Sequence, residues 1–412
     1  MNDVLPPLLA LLLVLSLPAT ALVAADYQGE ADAEYRATLH DGALSQVSPV
    51  VVEETTNRLP LSAPVENRYT DRGPDLAASI SGTDHTLRID HSQYVLVDRE
   101  FDDASDEERA ELLEDAHGAL QDHVSDLDDR EREAVREHAS GERSDGELVE
   151  TLLGNYYEAT KLLEVLEHLD DRADSVPGYS LSSSDVREDR RAIEAHRTPV
   201  KSDIAAMAEE FGATDRFEFL IQTSQDGYRL STIEGQTYAF ETTRFDNYDP
   251  DAPDQFADQN QTSDGLDYAE ELYPWAGSEG SPDYTQAGSI HDVRFTDNDF
   301  DVRMFIDGGT GEVYREFQEL SIDSLPIVEE WTVDDDDLEL SIQATPADGP
   351  VEVTVTDAET GEPEQATIFV DDHELGETDE DGTLWFVPPM GEYELTAETE
   401  TGSVNTTIDL GG

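Results

Sequence analysis

The chain has 412 residues, 97 acidic against 24 basic, for a formal charge of −73, and it contains no cysteine. That balance excludes nucleic-acid binding through a basic footprint and docking on anionic lipid through basic patches. A hydrophobic share of 37% excludes disorder over most of the chain, and the length calls for two or three separate cores.

Self-repulsion of this size opposes compaction unless salt screens it, and at ~1 M salt the Debye length is only about 3 Å. Lysine occurs only as Lys161 and Lys201, with Arg as every other base. Both features suit a protein that works in concentrated salt.

Taken in chain order, residues 1–25 read as an export signal. The apolar stretch from Leu8 to Val23 runs into small residues suited to cleavage after Ala21 or Ala25. The competing reading is a retained anchor helix, for which the stretch is marginal against the ~20 residues of a membrane span. An n-region with Asp3 and no Lys or Arg is atypical for a signal. The mature chain is expected to be soluble and extracellular or at the cell surface, with stability drawn from cores and not disulfides.

Residues 26–104, broken by Pro49, Pro60, Pro64 and Pro74, read as an extended, partly ordered segment with a short strand pair at 85–98. A helical domain is expected over 105–212. Ser105 with Glu108 and Ser144 with Glu147 form capping boxes, in which serine and glutamate satisfy each other's free amide donors. Leu113, Ala116, Leu120, Val124 and Leu127 then recur at helical spacing, as do Val149, Leu152, Tyr156, Ala159, Leu163 and Leu166, the seam of a packed hairpin. Ser184 is expected to cap a third helix and Pro199 to open a fourth. His117, His123, His138, His168 and His196 lie in these helices without ligand spacing, so they are expected to be solvated.

From 213 to 328 the period changes to that of strands. A three-stranded meander is expected at 216–245, turning at Asp226-Gly227 and Glu234-Gly235. A polar loop (247–265), a short helix at "LDYAEELYPWA" and three more strands over 291–318 follow, so the stretch looks like two copies of one unit. Acid-rich "EEWTVDDDD" marks the last boundary. Residues 337–412 then alternate in short strands and read as a β-sandwich of the seven-strand type. Val351, Val353, Val355, Ile368, Val370, Leu384, Phe386, Tyr393, Leu395 and Ile408 are its inward positions. Trp385 faces outward or into an interface with the central domain.

The acidic stretch "DDHELGETDEDG" (371–382) looks like a calcium loop. An EF-hand register with Gly382 sixth would need a bidentate Glu at the position held by Pro388, and a strand follows where a helix should. It reads as a hairpin turn with solvated acids.

Three resemblances follow from these motifs. The segment "IDGGTGEVY" (306–314), after a short helix and strands, resembles the PepSY-type module. Its Gly308, Gly309 and Gly311 read as positive-φ hairpin positions. Residues 353–398, with D-x-x-T-G-E-P, A-x-I-x-V-D and G-x-Y-x-L-T-A, resemble the carboxypeptidase regulatory-like, transthyretin-like sandwich, which implies packing or display without catalytic residues. The whole arrangement, including "TTRFDN", "ELYPWA" and "DGGTGEVYREFQ", resembles a haloarchaeal family of exported proteins of unknown function.

No nucleophile elbow, H-E-x-x-H, Walker loop or G-x-G-x-x-G occurs; "AGSEG" places its serine directly after Gly277. No catalytic, cofactor-binding or metal residue is assigned. Asn260 and Asn405 are glycosylation sequons, and Tyr273, Trp275 and Tyr284 could line a ligand groove, with a core plug as the blander alternative. The sequence thus points to an α+β multidomain protein: helical hairpin or bundle, central antiparallel α+β module, C-terminal sandwich. The expected function is a non-enzymatic, halophilic cell-envelope protein that binds or spaces surface proteins or glycans. The alternative is an exported hydrolase, or its peptidase inhibitor or chaperone, acting through the central module.

The charge generates a prediction about solvent. Dilution to ~0.1 M salt lengthens the Debye length to about 10 Å and restores carboxylate repulsion, so helical circular dichroism should fall on dilution and return with salt. An unchanged spectrum would show that the acidic surface does not limit stability.

Overall fold

An eight-stranded antiparallel sheet organises the chain, in the order β1-β2-β3-β4-β8-β7-β6-β5. The strands are β1 (Glu66–Arg72), β2 (Phe217–Ser224), β3 (Gly227–Glu234), β4 (Thr237–Arg244), β5 (Ser281–Ala287), β6 (Ile290–Thr296), β7 (Phe300–Asp307) and β8 (Val313–Ser321). Two four-stranded halves thus meet antiparallel through β4 and β8. The computed structural model describes residues 47–209, 217–256, 263–335, 337–400 and 402–409, all within a compact unit that starts at Leu44. The expected signal segment and Asn260 lie outside the described residues. Among them, no helix is long and apolar enough to cross a membrane.

Between β1 and β2 the chain forms α1 (Leu76–Gln93), a π-helical turn (Tyr94–Asp98), α2 (Arg99–Phe101), α3 (Asp106–Ala139), α4 (Asp145–Asp174), α5 (Ser183–Glu194) and α6 (Pro199–Glu209). Both capping boxes form as the sequence indicates. Every expected apolar position of α3 is buried, and on α4 all but Tyr156, which is half-buried. The third helix starts earlier than expected, because Ser182 and not Ser184 accepts the Asp185 amide.

Residues 85–98 are helical, not a strand pair. Ile89 and Val97 bury there at a spacing of eight, two helical turns, whereas the partial alternation of "HTLRIDHSQYVLVD" follows no buried face. The stretch read as poorly ordered is also fixed in part. Leu59 is fully buried, its amide donates to the Glu316 carboxylate at 3.0 and 3.1 Å, and Arg58 lies over the stacked pair of Tyr238 and Phe240 rings. The prolines there give an extended path that side chains from distant strands hold in place.

On the sheet's helical face, Phe219, Ile221, Leu230 and Ala239 pack under Val135, Leu152 and Ile204. The opposite face buries Leu220, Tyr238, Val293, Val302 and Met304 beneath α7 (Ser263–Leu272) and α8 (Pro274–Glu279). The second half has four strands where three were expected, since β5 forms around Pro282 at the sheet edge, where a missing donor costs no ladder bond.

The C-terminal sandwich has eight strands. One sheet runs β14-β11-β10-β9 and the other β13-β12-β15-β16. They comprise β9 (Glu329–Asp335), β10 (Leu338–Ala344), β11 (Val351–Asp357), β12 (Thr367–Val370), β13 (His373–Glu377), β14 (Thr383–Phe386), β15 (Glu392–Glu398) and β16 (Ser403–Asp409). The acid-rich stretch expected to be a boundary is the edge strand β9, whose outward positions tolerate the charges. Of the ten inward positions nine are buried, and Leu384 is partly so. Residues 378–382 are not a hairpin: they carry the chain from β13 in one sheet to β14 in the other. Asp379 closes that crossover by accepting the amides of Asp381 and Thr383, each at 2.9 Å.

The sandwich is clamped to the central sheet. Tyr69 donates its hydroxyl to Val387 O, and Asn67 both donates to Met390 O and accepts from its amide. Trp385 joins the central core, the interface position allowed by its alternation. Asn67→Ala strands the Met390 amide and carbonyl at a half-buried seam. The loss should cost about 1–3 kcal/mol, read as a lower denaturation midpoint with faster hydrogen exchange at Met390.

Candidate functional site

The three aromatics expected near a groove all belong to the central core or its margin. Tyr273 is wholly buried and its hydroxyl bonds to Glu316; Trp275 packs on Phe300, and the Tyr284 hydroxyl meets His291 Nδ1 at 2.8 Å. Asn405 is exposed on β16, so its sequon is accessible. The glycines of "IDGGTGEVY" do different work from that expected. Only Gly311 has positive φ; a Cβ on Gly308 or Gly309 would strike Asp254 or Ala252 in the loop that lies against the turn. Asp307, buried beneath, accepts the amides of Asp249, Gly309 and Thr310. The turn is a clasp for the 249–256 loop.

The helical histidines are mostly not solvated. His117 binds Asp189 at 2.6 Å, His168 binds Asp98 at 3.0 Å, and His138, buried, lies between Thr223 and Asp145. Helical spacing does not show these partners, because they come from other elements or the opposite end of a turn.

His196 belongs to the most buried charge cluster. Glu131 on α3, with no exposure, accepts from Arg315 of β8 at 2.6 Å, Lys201 of α6 at 3.1 Å and Tyr228 of β3 at 2.5 Å. His196 lies 3.3 Å from Glu131 and 3.2 Å from Asp128. Burial alone would raise the Glu131 carboxyl, but Arg315, Lys201 and His196 outweigh it and hold it well below the usual range. Glu241, buried close by, is pushed up by desolvation with less compensation from Lys201.

Asp128, Glu131 and His196 have donor atoms within 4.8 Å of one another, close enough to hold a metal ion. The charges around them argue otherwise. Arg315 Nη2 already contacts Asp128 Oδ1 at 3.1 Å and Glu131 Oε2 at 2.6 Å, the two oxygens a cation would need. With Lys201 on the remaining Glu131 oxygen, two permanent cations stand in for the metal. The cluster is an ion-pair tie between helices and sheet.

A second polar constellation is open to solvent. Two adjoining hollows of about 300 and 370 Å³ form between strands β5–β8 and the α5–α6 junction. Arg197, Arg294 and Arg303 line both. Arg191, Glu194, Arg303 and Asp292 close a ring of alternating charge, with contacts of 2.5, 3.4, 2.8 and 3.2 Å. Arg294 is tied to Asp301. Glu319 and Asp203 lie nearby, without ion-pair partners among the described residues. Burial and the neighbouring Asp301 raise the Glu319 carboxyl, and burial with Glu234 and Glu319 raises Asp203 to about 6. The sequence does not show this site, because its residues come from α4, α5, α6, the α5–α6 junction and strands β5–β8 and share no motif.

Comparison with known families divides the chain in three. Residues 1–215 match a domain of unknown function, DUF7096, over more than half of the chain. The chain belongs to the DUF7096 family. Residues 219–326 match a second family of unknown function, DUF7094, and 329–406 match the archaeal fibronectin-III type-like domain, in place of the carboxypeptidase regulatory-like sandwich resembled above. No curated protein matches the chain. The DUF7096 portion contributes β1 to the sheet that DUF7094 otherwise builds, and both the Glu131 tie and the Arg-lined hollow lie between the two portions.

Glu131→Gln removes the buried anion that Lys201 and Arg315 share. It should cost about 3–5 kcal/mol in a chemical denaturation series. Because the folded Glu131 carboxyl sits below its ordinary 4.5, its contribution is complete above that pH and is lost as pH falls below it. A wild type and variant with the same acid-unfolding profile would show that the cluster is energetically idle.

Proposed function

We propose that the protein is a non-enzymatic, exported component of the cell envelope of a halophilic archaeon that binds or spaces other surface components. The observation that carries this reading is the fixed docking of the sandwich on the central sheet. The Asn67–Met390 pair, the Tyr69–Val387 bond and the shared core at Trp385 favour one rigid body over domains on a tether. A rigid body holds bound surfaces at a set spacing, while flexible linkers do not. The acidic surface suits concentrated salt, and the leading apolar segment suits export. The likeness of the central module to PepSY modules is part of the same proposal.

A second reading, an exported hydrolase working in the central module, draws on Glu319 and Asp203. Carboxyls raised by burial beside a hollow are what acid–base chemistry uses.

Full-length protein in multimolar salt should co-sediment with isolated envelopes, and protein recovered from cells should begin near residue 22 or 26. Glycoside and peptide substrates should stay intact. Absence from the envelope fraction would sink the first reading. Turnover abolished by Glu319→Gln, with the fold kept, would establish the second.

A further inference from the structure

Two arginines face each other directly in the Arg-lined hollow. Arg294 on β6 and Arg303 on β7 are register partners, and like charges placed directly opposite destabilise a sheet. The fold offsets that cost with diagonal carboxylates. Asp301 holds Arg294 and Asp292 holds Arg303, the latter through two hydrogen bonds of 2.9 and 2.8 Å. Both guanidinium planes are thereby fixed, each with donor edges left over from a bidentate pair.

Arg197, at the α5–α6 junction, differs from its neighbours. It is exposed, its Nε donates to Thr160 Oγ1 at 3.0 Å, and it has no carboxylate partner among the described residues. Both hollows open onto it. Of the arginines that line the hollows, Arg191, Arg294 and Arg303 are all paired with carboxylates, which leaves Arg197 as the one whose charge is not matched there. Phe317 and Tyr156 supply an apolar wall in the same hollow. Alternating fixed donors and acceptors, an aromatic wall and one free cation together specify a ligand. It has vicinal hydroxyls, which both donate and accept, a C–H face for the rings, and one negative charge for Arg197.

We propose that the hollow between the α5–α6 junction and strands β6–β8 binds an acidic saccharide, its carboxylate on Arg197 and its hydroxyls on the Arg294–Asp301 and Arg303–Asp292 pairs. This rests on the reading of the protein as a binder of surface components. The net charge of −73 does not forbid an anionic ligand in concentrated salt, because at ~1 M the Debye length of about 3 Å leaves only groups in contact to decide the outcome. At low ionic strength the same ligand would be repelled by the surrounding acids.

The test is calorimetric titration of the full chain in multimolar sodium chloride with a glucuronic-acid-containing disaccharide. Its neutral counterpart, with the carboxylate reduced to hydroxymethyl, and inorganic sulfate serve as the other probes. The acidic disaccharide should bind, the neutral one at least about tenfold more weakly, and sulfate should not compete. Arg197→Gln should lower affinity for the acidic disaccharide by about tenfold or more, the effect of losing one charge-assisted contact. Since Arg197 is exposed, its variant should keep the wild-type melting temperature, and Arg197→Lys should recover part of the affinity. Equal binding of the neutral sugar, displacement by sulfate, or an Arg197→Gln variant that binds like wild type would each overturn the assignment. If Arg197→Gln loses the saccharide yet sediments with envelopes as before, the saccharide has no part in envelope binding. If wild type binds the saccharide but not envelopes, the envelope reading falls and the hollow stands.

Discussion

Glu131 is the interaction on which the architecture turns. A carboxylate with no solvent access pays a desolvation cost of several kcal/mol, which only close, well-aligned cations offset. Here those cations come from two layers, Lys201 from the helices and Arg315 from the far half of the sheet. The anion therefore fixes where α3 and α6 sit over β8, a register that apolar side chains alone would define less sharply. His196 and Tyr228 fill the remaining contacts.

The same economy of cations recurs elsewhere. With so few bases, most sit where they join elements distant in sequence. Arg130 and His85 meet Glu158, Arg172 and His168 meet Asp98, and Arg303 and Arg191 bridge Asp292 to Glu194. Arg58 instead lies against aromatic rings and donates to Ala347 O, linking the N-terminal segment to the sandwich. Much of the acidic excess is left to the solvent-facing surface, where salt screens it. Arg197 is the arginine of the solvent-open hollow that no carboxylate holds among the described residues, which is why that hollow carries the ligand proposal.

The boundary between the DUF7096 and DUF7094 portions falls at the entry to β2, inside a single sheet. Strand β1 precedes the helices and completes the sheet only after about 150 residues have intervened, a long-range pairing of the kind that slows folding. The helices keep a core of their own, but the layer between helices and sheet closes only with both portions: Phe219 and Ile221 of one pack under Leu152 and Ile204 of the other. Two families of unknown function thus meet in one structural body, and a binding surface between them belongs to both.

The sequence by itself determined what local physics controls. Capping boxes fixed the starts of α3 and α4, because Ser105 and Ser144 find their partners three residues away. Period-two alternation fixed the inward positions of the sandwich, and Pro388 ruled out an EF-hand register for 371–382. Tertiary structure decided what depends on distant partners. Residues 85–98 became helix because Ile89 and Val97 had the core of the α3–α4 hairpin to cover, and the Pro-rich stretch near Leu59 became ordered because Glu316 receives its amide. The partners of His117, His168 and His196, and the arginines around the hollow, come from elements tens of residues apart. Spacing along a chain reports neighbours on one helix or strand; charge pairing across layers is set by packing, and only the folded chain brings those groups within a few ångströms.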